Sequence, residues 1–154
     1  MNMVSTLCRF LFVLSVCGLI AGCSSQPASS LQSDGKLTAC PTQPHCVGSY
    51  ETDAKHQIAA LQIQGDAALA WAALKAHVTQ LPRTEVVADK GDYMHVVFTT
   101  RLMRFKDDAE FRLQTDRSEI AVRSSSRVGY SDMNVNRKRL EAIRTALRAQ
   151  GVVK

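Results

Sequence analysis

The chain has 154 residues, 45% hydrophobic and 21% charged, with 19 Lys and Arg against 14 Asp and Glu for a formal net charge of +5. No internal repeat is visible. Beyond a leader and a polar linker about 115 residues remain, which suits one small domain with one core.

Arg9 precedes a short apolar run from Phe10 to Ile20, which meets Ala21, Gly22 and Cys23. A basic start, an apolar centre and small residues before a cut site make residues 1–22 a secretory signal. The run of about 11 residues is too short for a bilayer span, which needs about 20. Its Ile-Ala-Gly-Cys ending resembles the bacterial lipobox. That resemblance implies that Cys23 becomes the lipidated N-terminus, with a diacylglycerol thioether and an amide-linked acyl chain such as palmitate. Two or three chains hold stably where one holds only marginally. Ser24 after the cysteine, rather than Asp, implies the outer membrane and its periplasmic face. This address in the cell envelope leaves no place for a nucleic-acid partner.

Cys8 and Cys17 leave with the signal and Cys23 carries lipid, so Cys40 and Cys46 remain. Two cysteines in an oxidising compartment most economically form a disulfide. Pro41 and Pro44 restrict the enclosed loop, and closing so small a loop pins a local turn rather than the whole fold. The rival reading makes Cys40, His45 and Cys46 metal ligands. Zinc normally takes four ligands at tighter spacing and no second Cys/His cluster follows, so neither a metal nor a cofactor is expected.

Residues 23–36 are polar and turn-rich, a tether between lipid and the domain of residues 37–154. Residues 56–64 alternate loosely and make a first strand. Asp66 then offers an N-cap to a helix over 67–81, with Trp71, Leu74, Val78 and Leu81 on one face and Pro82 preventing continuation. Strands at 85–89 and 93–102 turn at Lys90-Gly91-Asp92. In the second, Met94, Val96, Phe98 and Leu102 share one face, while Tyr93, His95, Val97 and Arg101 share the other. Strands at 109–114 and 119–124 follow. A four-residue turn sets Phe111 opposite Val122, Leu113 opposite Ile120 and, on the other face, Glu110 opposite Arg123. Asp132 or Asn134 caps a last helix over 136–150, striped by Leu140, Ile143 and Leu147 and stopped at Gly151. The order β-α-β-β-β-β-α predicts an α+β fold, an antiparallel sheet of about five strands with two helices on one face. That order resembles the TATA-binding-protein-like fold, or a small helix-grip domain.

Three motifs carry a family resemblance: Cys40-Pro-Thr-Gln-Pro-His-Cys-Val47, Arg104-Phe-Lys-Asp-Asp-Ala-Glu-Phe111, and Arg123-Ser-Ser-Ser-Arg-Val-Gly-Tyr-Ser-Asp132 with Asn136-Arg137. Together, in order from about residue 37 onward, they resemble the bacterial family called domain of unknown function 1499, many members of which are lipoproteins. His45 stands where that family usually has Asn. The resemblance implies no activity or cofactor.

The residues themselves leave three readings open. Asp107, Asp108 and Glu110 form a carboxylate cluster that either pairs with Arg101, Arg104, Arg123 and Arg127 or does acid–base work or binds a cation. With His95 as base, they define an envelope hydrolase. Arg123, Ser124, Ser125, Arg127, Asp132 and Arg137 lie on or beside a loop leading to a helix N-terminus, a candidate polar site for a small anionic ligand. No Gly-x-Ser-x-Gly elbow supports a serine nucleophile. Charge is uneven: residues 101–154 hold 13 basic and 7 acidic side chains, including Arg137, Lys138, Arg139, Arg144 and Arg148 on the last helix. Such a helix either meets anionic headgroups or polymers or is a solvated face. Without a nucleophile–base motif, the reading favoured is a non-catalytic, lipid-anchored binding or assembly module. Its partners are the membrane, through the acyl chains, and an envelope protein, polymer or small anionic ligand.

Overall fold

The computed structural model describes residues 31–154. The expected signal of residues 1–22, the expected lipidation site Cys23 and the first part of the expected tether lie outside the described residues. Two short strands, β1 (Cys46–Gly48) and β2 (Leu61–Gln62), precede helix α1 (Ala67–Thr79), four strands and helix α2 (Val135–Ala149). The strands are β3 (Thr84–Lys90), β4 (Tyr93–Thr99), β5 (Lys106–Gln114) and β6 (Glu119–Ser126). This is the α+β order expected from the sequence, with β2 inside the expected first strand and β1 a further short strand ahead of it. The antiparallel sheet runs β1-β6-β5-β4-β3, and β2 pairs with β6 beyond β1.

Period-two patterning aligns β5 and β6 as expected. Phe111 faces Val122, Leu113 faces Ile120 and Glu110 faces Arg123. On one sheet face the apolar members of these pairs join Met94, Val96 and Phe98 from β4, Trp71, Leu74 and Val78 from α1, and Leu140, Ile143 and Leu147 from α2 in the main core. The Asp66 carboxylate caps α1 by accepting from the Leu69 amide at 2.8 Å, and the Trp71 indole donates to the Gly91 carbonyl, tying α1 to the β3–β4 turn. Gly91 sits at φ 61° in that turn, a backbone state that suits a residue without Cβ.

Three features differ from the sequence expectation. Only Leu61 and Gln62 of residues 56–64 form a strand. Just before it, the Arg137 guanidinium donates to the Lys55 and Gln57 carbonyls, and that of Arg144 to the Ala59 and Ala60 carbonyls. Guanidinium groups of α2 thus satisfy backbone that a ladder would otherwise satisfy. Second, β4 ends at Thr99, so Leu102 is not on the core face but stands exposed in the β4–β5 loop. Third, the sheet face away from the helices is also covered. Leu37 packs with Tyr93 and Ala121, joined by Leu31, Tyr50 and Ala88, and His95 and Val97 on that face are buried. The described end of the tether lies here: Leu31 bridges to Leu37 across a turn closed by Gln32 and Lys36.

Candidate functional site

Alternation along β5 decides what the carboxylates can do. The strand begins at Lys106, three residues earlier than its apolar residues suggest, so Asp107 faces the helices while Asp108 and Glu110 face the opposite side. The candidate cluster is therefore two sites separated by the sheet.

On the face away from the helices, two polar groups lie side by side. Asp108 accepts from Arg127 Nε at 2.8 Å and Nη2 at 2.9 Å, a two-pronged pair, and from His95 Nε2 at 2.8 Å. Burial pushes the Asp108 carboxyl up, but the Arg127 and His95 hydrogen bonds outweigh it and hold the group down at about 2. Asp108 in turn holds the Arg127 guanidinium above its usual range, chiefly through their hydrogen bond. Next to them, Glu110 accepts from the Tyr93 hydroxyl at 2.6 Å and from Arg123 Nη1 at 3.2 Å. Burial, then the bond to Glu110, raises the Tyr93 phenol well above its ordinary value. His95 is 3% exposed and lines neither of the two main grooves.

On the helix face a second network closes the end of the sheet. Asp107 accepts from the Ser126 hydroxyl and from Arg139 Nη2, each at 2.6 Å. Asn136 accepts from the Ser124 hydroxyl at 2.6 Å and from Arg139 at 2.9 Å. Its amide group donates to Ser126, to the His45 carbonyl and to Asp132. Asp132 also accepts from the Asn134 and Asn136 backbone amides and so caps α2. Arg139 lies over the Phe98 ring, 4.6 Å from its centroid. Every member of this network has a partner, which is what allows such polarity to be buried.

The candidate anion site is thereby dispersed. Arg123 pairs with Glu110 and Arg127 with Asp108 on one face, while Ser124 is bound to Asn136 on the other. Arg137 is turned to the carbonyls of Lys55 and Gln57. Ser125 lies opposite Asp108 and Cys46 in the sheet, its hydroxyl at 3.5 Å from the Ser126 carbonyl. Arg101 and Arg104, offered by sequence as carboxylate partners, are exposed in the β4–β5 loop. Cys40 and Cys46 form a disulfide with Cα atoms 5.6 Å apart. Among the described residues no group of three or more His, Cys, Asp and Glu is placed to hold a metal ion, and no helix is long and apolar enough to cross a membrane.

Sequence reasoning missed the open feature of this molecule. Above the Asp107–Ser126 network lies a groove of about 290 Å³ between the β4–β5 and β6–α2 loops, with Asp107, Ser126 and Asp132 among its lining. Its walls and surroundings are apolar and unusually exposed: Leu102 is 87% exposed, Met133 83% and Tyr130 76%, with Met103, Phe105 and Val128 beside them. A second groove of about 420 Å³ adjoins it at Thr100 and Val135 and runs between α1, α2 and the ends of β3 and β4. Four of the five non-glycine residues with left-handed backbone, Arg83, Arg104, Met133 and Asn134, lie in or beside these two grooves. Strain of this kind collects where a surface is shaped for a purpose. The signal was present: Arg101-Leu-Met-Arg-Phe-Lys106 puts three large apolar side chains in a stretch with no buried periodicity.

A family model described as protein of unknown function (DUF1499) matches residues 36–147. No match is found among curated proteins or among solved structures.

Proposed function

This chain belongs to the DUF1499 family, and we propose that it acts as a non-catalytic binding module of the cell envelope, tethered through acylated Cys23 to the periplasmic face of the outer membrane. The binding surface in this reading is the apolar rim around Leu102, Met103, Phe105, Val128, Tyr130 and Met133. One observation carries it: exposed large apolar residues gather on two neighbouring loops over a preformed groove, whereas a soluble surface ordinarily scatters them singly. The ionisable residues that suggested chemistry support the same reading, because they are spent on one another. His95 donates to Asp108 and is buried away from both grooves, which weighs against the hydrolase alternative built on His95 as base. The guanidinium groups of an anion carrier are tied to Glu110, Asp108 and backbone carbonyls.

Photo-crosslinking from the rim in intact envelopes tests this. A photoreactive residue at Met103 is expected to form reproducible adducts, and the same residue at Leu69, 67% exposed on α1, is expected to form none of them. Equal labelling from both positions would show that the rim is ordinary surface.

A further inference from the structure

We infer that the rim seats on an anionic phospholipid surface. The inference rests on the reading above that the rim is the binding surface, and names its occupant from charge. Apolar side chains that protrude from a folded surface enter the boundary between headgroups and acyl chains, provided that basic side chains beside them meet the phosphates. The rim has that composition. Residues 100–106 contain Arg101, Arg104 and Lys106 and no acid, all three exposed, and Lys138 is exposed in the first turn of α2.

The acids nearest in sequence do not oppose this field. Asp107 is buried against Arg139 and Asp108 against Arg127, while Asp132 is turned to the amides at the start of α2. Glu85 is exposed on β3 opposite Val97, but Arg101, Arg104 and Lys106 outnumber it, so positive charge faces outward at the same end of the sheet as the apolar groups. Left-handed backbone at Arg104 (φ 58°) and Met133 (φ 53°) turns both loops sharply at that end, a conformation such residues seldom adopt without constraint.

Reach is compatible with an anchor at Cys23. The eight steps from Cys23 to Leu31 span at most about 28 Å, and the seven residues of β4 cover about 23 Å. A chain held at Cys23 has enough slack to turn this end of its sheet towards the same bilayer.

The test puts one reporter on the rim of the full chain, Leu102→Trp, compared with the parent, whose one tryptophan, Trp71, is buried. The protein is mixed with phosphatidylcholine vesicles, with or without about 30% phosphatidylglycerol, carrying brominated acyl chains. With the anionic lipid, the added emission should shift to the blue and fall about twofold or more. Arg101→Glu/Arg104→Glu in the same background should raise the lipid concentration needed for half the effect about tenfold or more. Leu69→Trp should remain unquenched. A rim tryptophan that stays unquenched on both vesicle types overturns the inference, and so does quenching indifferent to phosphatidylglycerol and to the arginine reversals. Rim crosslinks to a protein in envelopes, without quenching on vesicles, would leave the binding reading standing and remove the lipid from it.

Discussion

Asp108 is held in its charged form by two neighbours, and stability therefore depends on pH. An Asp in an unfolded chain titrates near 3.9, and here it is held at about 2. Its contribution is fully present above about pH 5, and is lost as pH falls through about 4 to 2. Because Asp108 is partly solvated, the effect is on the order of 1–2 kcal/mol. We predict that Asp108→Asn removes this contribution at neutral pH and flattens the acid limb of the stability profile, checked by urea unfolding between pH 2 and 7; an unchanged profile would contradict it. Asp107 is buried more deeply, and Asp107→Asn leaves Arg139 without its carboxylate, so a loss of about 2–4 kcal/mol is expected by the same assay. The Glu110–Arg123 pair was legible from sequence because hairpin register places the two residues opposite each other. Asp107 with Arg139 was not: the two lie 32 positions apart, and only tertiary packing of α2 brings them together.

At the scale of elements, what was legible is what apolar periodicity controls. Both helices and the β5–β6 register follow from it. The start of β5 does not, because Lys106, Asp107 and Asp108 carry no apolar alternation and enter the sheet through paired charges instead. The length of the first strand was overread for a related reason, since Arg137 and Arg144 satisfy the carbonyls of residues 55–60. Part of the basic excess on α2 is thus structural, leaving Lys138 and Arg148 exposed. The Cys40–Cys46 loop encloses His45, whose carbonyl accepts from Asn136 and from the Ser126 amide, so the loop is joined to the buried network. Closing a loop this short contributes about 2 kcal/mol in the chain-entropy description. Cys40→Ser/Cys46→Ser is expected to lower unfolding stability by about that amount while leaving the sheet intact, as read by circular dichroism; loss of the fold would show that the bridge holds more than a turn.

For the whole molecule, the structure divides into an interior made of apolar packing and paired charge, and one end of the sheet where apolar groups face outward. The charged and hydroxyl motif residues Asp107, Asp108, Glu110, Arg123, Ser124, Ser126 and Arg127 belong to the interior, while Phe105, Val128 and Tyr130 of the same motifs stand on the rim. Of the rim, only Leu102 mimics the edge of a core strand until β4 is seen to stop at Thr99; the approach of the β6–α2 loop with Val128, Tyr130 and Met133 is a tertiary event with no local signal. The proposed envelope address makes its own prediction: mass spectrometry of the native protein should find an N-terminal peptide beginning at acylated Cys23, and a start near Gly22 with a free thiol would contradict it. The most direct test of this division compares unfolding free energies of two variants, Arg123→Ala/Arg127→Ala in the interior and Leu102→Ser/Met103→Ser on the rim. The interior pair should lose about 3 kcal/mol or more because half-buried Asp108 and buried Glu110 each lose a guanidinium partner, and the rim pair should stay within about 0.5 kcal/mol of the parent. Full stability in the arginine variant would mean that those residues are held for a ligand and not for the fold, and would contradict the division.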